Sequence, residues 1–127
     1  MEVNLPDVKA EVEAAFALYE KALMENDVDG LQALFWNSDL TIRYGINENL
    51  YGYQEIGAFR AGRSPVGLAR TISRTVITTF GRDFGTASTL FHREATAGKV
   101  GRQMQTWVRN PDGWRVVAAH VSVIDPP

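Results

Sequence analysis

The second half of the chain constrains the fold most, because it reads as strands and turns from end to end. Arg70 to Phe80 carries Thr71, Ile72, Thr75, Val76, Ile77, Thr78 and Thr79. Side chains branched at Cβ suit a pleated strand better than a helix. Gly81-Arg82-Asp83 turns the chain, and Phe84 to Ala95 reads as the next strand. After a turn at Ala97-Gly98-Lys99, Val100 to Arg109 runs into Asn110-Pro111-Asp112-Gly113, the clearest hairpin signal in the sequence. Trp114 to Ile124 returns from it. Four long strands in sequence order form a meander that needs an apolar cover from elsewhere.

The first half supplies the cover. Val8, Val12, Ala15, Phe16, Tyr19 and Leu23 form the stripe of an amphipathic helix ending near Met24, with Asn4 expected as its cap. A short helix over Leu31–Trp36 follows Asp27 or Asp29 as cap. Asp39 to Tyr44 predicts a strand stopped by Gly45, and Gly52 to Ala61 a third helix ended by Gly62 and Ser64-Pro65. The pattern predicts one α+β domain over residues 1–127. Helices on one face of a strongly twisted sheet leave a cone-shaped hollow.

Composition narrows the chemistry. There is no cysteine, so a disulfide framework, a thiolate nucleophile and a cysteine zinc site are excluded. A net charge of −2 and a pI near 5.6 argue against a nucleic-acid or anionic-membrane surface. The N-terminus lacks the pattern of a signal peptide and no apolar run could span a bilayer, so a cytoplasmic location is expected. Only Lys9, Lys21 and Lys99 are lysine, the rest of the 13 basic residues being arginine. Arginine captures carboxylates in a planar fork, which leaves a small acidic substrate open beside ordinary ion pairing.

Familiar motifs are mostly missing. No glycine-rich phosphate loop, no Gly-x-Ser-x-Gly elbow and no helical His-x-x-x-His pair occurs. His92 and His120 lie far apart with no carboxylate at ligand spacing, a poor basis for a metal site. The aspartates fall at caps, turns and the tail, which disfavours isomerisation or dehydration by a buried aspartate base. Tyr19 lies on the apolar stripe, so its ring faces inward and its hydroxyl needs a partner, a backbone carbonyl or a ligand. Arg43 alternates with Ile42 and Tyr44. If Leu40 and Ile42 face the helices, Arg43 points outward. Gln103 and Gln105 share a strand face with Trp107, where amides line a pocket or meet solvent. Arg70 and Arg74 open the long strand as ion-pairing or field-forming cations.

The strings Phe35-Trp36, Thr41-Ile42-Arg43-Tyr44-Gly45, Glu48-Asn49-Leu50-Tyr51-Gly52-Tyr53, Arg74-Thr75-Val76-Ile77-Thr78-Thr79, Gly101-Arg102-Gln103-Met104-Gln105-Thr106-Trp107 and Val117-Ala118-Ala119-His120-Val121-Ser122 resemble the AtzH-like family. That group includes the oxalurate-catabolism protein HpxZ, within the SnoaL-like and NTF2-like cone folds. The resemblance covers about residues 4 to 124. It implies an NTF2-like cone and a cofactor-independent decarboxylating amidohydrolase that converts 1,3-dicarboxyurea to urea-1-carboxylate (allophanate) in cyanuric acid breakdown. It implies Tyr19 and Arg43 as the catalytic pair, with Trp36, Arg70, Gln105 and His120 as candidate substrate-binding residues. No metal or organic cofactor is implied. The HpxZ branch sits in purine and oxalurate catabolism, which keeps open a non-catalytic module that binds a metabolite or supports an amidase. Cone folds of this type commonly pair through the open sheet face, so a homodimer is expected. Light scattering that found only monomer at micromolar concentration would count against it.

Overall fold

The computed structural model describes residues 1–127 as three helices laid on the inner face of one six-stranded sheet. Helix α1 spans Pro6–Met24 and α2 Val28–Ala33; strands β1 (Ile42–Tyr44) and β2 (Asn49–Tyr51) precede α3 (Tyr53–Gly62). The long strands are β3 (Thr71–Phe80), β4 (Phe84–His92), β5 (Val100–Asn110) and β6 (Gly113–Ile124). Sheet order is β2-β1-β6-β5-β4-β3, antiparallel throughout except that β1 runs parallel to β6. The meander expected from the sequence is therefore present. Asn110 pairs with Gly113 around Pro111-Asp112, as the hairpin signal predicts. No helix is long and apolar enough to cross a membrane.

Several boundaries differ from the expectation. Leu5 occupies the cap position of α1, and Asn4 instead turns away at φ 58°, its side-chain oxygen accepting from the Thr79 amide at 2.9 Å. That bond ties the N-terminus to β3 rather than capping the helix. Asp27, not Asp29, caps α2 through the Gly30 amide at 2.9 Å. Strand β1 starts three residues later than expected, since Thr41 donates its hydroxyl to the Trp36 carbonyl at 2.7 Å and the chain before it is a turn. Strand β2 has three residues, too few for alternation to mark it. Strand β4 stops at His92, where a 3₁₀ turn over Glu94–Thr96 takes over.

Register fixes which side chains look inward. Arg43 aligns with Ala119, which aligns with Gln105, then Ala87, then Ile77. The next inward row is Val121, Gln103 and Thr89. The register of β6 shifts by one residue near Val117, so Trp114 and Val116 face inward before the shift and Ala119 and Val121 after it. Small residues at Ala87, Thr89 and Ala119 alternate along these rows with the buried Gln103 and Gln105, and the Phe91 ring covers Gly101. Val8, Val12, Phe16, Leu31, Phe35, Ile56, Trp107 and Val116 pack the closed end.

Gly101 has a steric role there. A Cβ at this position would overlap the Phe91 ring, which lies across the glycine from the adjacent strand. Phe91 in turn carries the Arg70 and Arg93 guanidinium groups over its faces, at 4.6 and 4.9 Å from the ring centre. Gly101→Ala should thus cost about 1–3 kcal/mol by overpacking and displace both arginines. Thermal denaturation and ligand affinity both read this. An unchanged affinity would show that Phe91 does not position them.

Candidate active site

The concave face ends in a cluster of arginines around one phenol. Tyr19 comes from the buried stripe of α1, and its ring packs against Phe35 with centroids 6.2 Å apart. Arg60 comes from α3, one turn after the buried Ile56, and its guanidinium lies 4.5 Å from the centre of the same Phe35 ring. Arg43 and Arg63 flank Phe59 at 5.5 and 5.7 Å, while Arg70 and Arg93 flank Phe91. Phe59 and Phe91 thus each hold two like charges beside their negative faces, and Phe35 holds one.

Arg43 is 7% exposed, so the outward orientation expected from alternation is overturned. Leu40 is the exposed residue, at 74%, because it precedes the strand and does not share its alternation. Within β1, pairing with the far half of β6 puts Arg43 on the Ala119 side. Arg43 donates to Glu48 at 2.9 Å from the turn that follows. Gly45 permits this, since a Cβ there would collide with the Glu48 carboxylate and with Nη1 of Arg43.

Arg70 is buried and paired with Glu20, its Nε donating to Oε2 at 3.2 Å, and its Nη2 donates to Oε1 of Gln103 at 3.0 Å. The ion-pairing role expected of Arg70 is present, and that pair sits beside the phenol. Gln105 is buried on the same face, but its oxygen is held by the Trp107 indole at 3.2 Å. Two expected binding residues stand elsewhere. Trp36 lines a separate cleft of about 370 Å³ with Gln32, Tyr53 and Arg115. His120 alternates with the buried Ala119 and Val121, so it lies exposed on the outer face, opposite Met104 and 5.9 Å from the Tyr44 ring.

Three arginines in the cluster have no carboxylate partner. Arg60 is 1% exposed, and no protein group accepts from its Nε, Nη1 or Nη2. Arg63 leaves Nε and Nη2 unpaired, and Arg93 leaves Nε unpaired. Buried donors without acceptors are costly, and a buried unpaired cation more so. Burial lowers the Arg60 pKa to about 10, repulsion from Arg43 and Arg63 adding to it and the approach of Tyr19 opposing it. That approach falls short of normal hydrogen-bond geometry. For Tyr19, burial alone would raise the pKa. Arg60, Arg43 and Arg70 together outweigh burial and bring the phenol below its ordinary value. Arg63 and Arg93 are lowered by burial first and by neighbouring arginines second.

Two spaces adjoin the cluster. One, of about 170 Å³, is lined by Arg43, Glu48, Phe59, Arg63, Arg93 and Val121 among others. The other, about 610 Å³ and open to the surface, runs past Met24, Arg70, His92 and Arg93. Arg93 belongs to both and stands at their junction.

Sequence reasoning missed Arg60, Arg63, Arg93 and Glu20 as site residues, while it placed Gln103 with Gln105 on a strand face able to line a pocket. The spacing of Ile56 and Arg60 on one helical face was a usable signal, since a residue four places after a buried isoleucine faces the same way. Arg93 carried none, because the end of β4 was itself misplaced.

Helices on the concave side of a mixed six-stranded sheet, over a hollow walled by charged side chains, define an NTF2-like protein. An NTF2-like protein with a cystatin-like fold from Novosphingobium aromaticivorans superposes with a TM-score of 0.74 at 19% identity, covering 98% of this chain and 86% of that one, a likeness of fold alone. Within that class the chain belongs to the AtzH-like family, whose sequence profile matches residues 1–127. A protein of unknown function from Pectobacterium atrosepticum is 57% identical, covering 97% of this chain and 95% of its own, with a TM-score of 0.94. A cystatin-like fold protein from Burkholderia xenovorans is 54% identical over 100% of this chain and 99% of its own, with a TM-score of 0.95. No curated protein sequence matches the chain.

Proposed function

We propose that the chain is a cofactor-independent decarboxylating amidohydrolase acting on a small N-carboxylated urea, with 1,3-dicarboxyurea converted to urea-1-carboxylate, and that it works as a homodimer. The observation that carries this reading is Arg60, a buried guanidinium without a protein acceptor against a phenol made more acidic by the same charge. Such a centre accepts a carboxylate and has a proton to give.

The step balances simply. Arg43 and Arg60 hold the carboxylate on the terminal nitrogen. Tyr19 donates its proton to that nitrogen while the nitrogen–carboxyl bond breaks, its electron pair staying on nitrogen. Carbon dioxide leaves, the nitrogen becomes a neutral NH₂, and Tyr19 is left as phenolate until solvent returns the proton. The guanidinium groups stabilise that phenolate, which is the charge that develops at the transition state. Arg70, itself fixed by Glu20 and Gln103, contributes field and position.

Purified protein given freshly generated 1,3-dicarboxyurea should release carbon dioxide or bicarbonate well above the spontaneous rate, read by a coupled assay. No acceleration would remove the enzyme reading for this substrate and leave metabolite binding.

A further inference from the structure

Tyr19 lies in the field of cations from several elements. Arg60 and Arg63 come from the end of α3, Arg43 from β1, Arg70 from the entry to β3 and Arg93 from the exit of β4. The inward rows of β5 and β6 contribute Gln103, Gln105, Ala119 and Val121, none of them titratable. Against these cations stand two carboxylates. Glu48 binds Arg43 from the turn after β1, and Glu20, the residue after Tyr19 on α1, binds Arg70.

Arg70 is gripped from several sides. Its Nε donates to Oε2 of Glu20 at 3.2 Å and its Nη2 to Oε1. The same Nη2 donates to Oε1 of Gln103 at 3.0 Å, and the guanidinium lies 4.6 Å from the centre of the Phe91 ring. The Arg70 amide donates to Sδ of Met24 at 3.2 Å. Glu20 and Met24 are one turn apart on α1, so the helix that carries the phenol also fixes Arg70 at two points. The Glu20–Arg70 pair is largely shielded from solvent, where a charge acts more strongly on its neighbours than it would in water.

We propose that Glu20 is a positioning residue for the reaction, locking Arg70 against Phe91 and Gln103 and keeping the neighbouring phenol in its proton-bearing form. It rests on the reading above for Tyr19 as the acid. An acid set among arginines faces a conflict, because the cations that hold an anionic ligand also favour the phenolate, which has no proton to give. Arg60, Arg43 and Arg70 draw the phenol toward ionisation, and the Glu20 carboxylate works against them. Without it the cluster gains one uncompensated positive charge at Arg70.

Glu20→Gln removes the charge and keeps an oxygen that can accept from Arg70; Glu20→Ala removes the charge without adding an amide. The phenolate absorbance can be titrated without substrate in each protein, as the difference from its Tyr19→Phe counterpart. In either variant the midpoint should move to lower pH by about half a unit to one unit. Glu20→Asp keeps the charge and should restore most of the wild-type midpoint. The alkaline limb of turnover should move with the absorbance step, whereas a purely structural role for Glu20 would lower the rate and leave the midpoint in place. A midpoint that stays, or rises, in the folded charge-removing variants overturns the proposal. So does a displacement just as large in Glu20→Asp, since altered packing and not charge would then be its cause. The expected displacement in a protein that does not accelerate carbon dioxide release from dicarboxyurea keeps the control of the phenol by Glu20 and removes the proposed reaction.

Discussion

Arg60→Met should give a protein that melts at a higher temperature than the wild type and has lost its activity. Arg60 is 1% exposed and holds a charge that no protein carboxylate meets. Its pKa is lowered to about 10, which corresponds to about 3 kcal/mol of unfavourable folding free energy while the group is charged, at about 1.4 kcal/mol per unit. The sign follows from the direction of the shift. The folded state holds the proton less firmly than the unfolded state, so the penalty is complete below about pH 10 and fades only as pH rises beyond that. Throughout the neutral range it is constant. Part is offset by the Phe35 face 4.5 Å away, which a methionine side chain also packs against. The net gain on substitution is therefore about 1–3 kcal/mol, within the range seen when buried charges are replaced by apolar groups of similar size. Glutarate should raise the melting temperature of the wild type and not that of the variant. Scanning calorimetry with and without glutarate gives both results. A variant that melts well below the wild type would make Arg60 a structural residue and remove it from the site.

A trade of stability for function at one residue fits what the sequence does and does not disclose. The meander was legible because Thr71, Val76 and Ile77 prefer strands and Asn110 to Gly113 prefers a turn, both local properties. The α1 stripe was legible for the same reason, and it carried Tyr19 inward with it. The facing of Arg43 was not legible. It depends on a parallel pairing with β6 beyond a register shift, a contact between residues more than seventy positions apart that no local pattern records. The placement of His120 and Trp36 away from the arginine cluster was not legible either, since it is set by that register and by an irregular connection. The arginine excess left an acidic ligand open and did not say which arginines gather in the cluster. Arginine on a helix surface and arginine facing a cavity have the same spelling, and only Ile56 before Arg60 separated them.

Tyr19→Phe should lower kcat by about 10²- to 10⁴-fold, the usual worth of a positioned general acid, and leave the melting temperature almost unchanged. Stability is spared because the ring that packs on Phe35 is kept and the neighbouring Arg60 nitrogens have no hydrogen bond to lose. The pH dependence identifies the role. A general acid works while protonated, so the rate must fall as pH rises through the Tyr19 pKa. Arg60, Arg43 and Arg70 place that pKa below the ordinary value of 10.0, so the alkaline limb lies below it too. Removing one of these charges by Arg43→Gln should carry the limb back toward higher pH, in addition to weakening carboxylate binding. The phenolate can be followed without substrate through its ultraviolet absorbance, as the difference between titrations of the wild type and Tyr19→Phe. The absorbance step and the rate limb should share one midpoint and move together in Arg43→Gln. If the limb persists in the residual activity of Tyr19→Phe, the proton comes from another group and Tyr19 only shapes the cavity. If stability and activity fall together, the hydroxyl supports the fold, and the acid must be sought among solvent molecules ordered by Arg60.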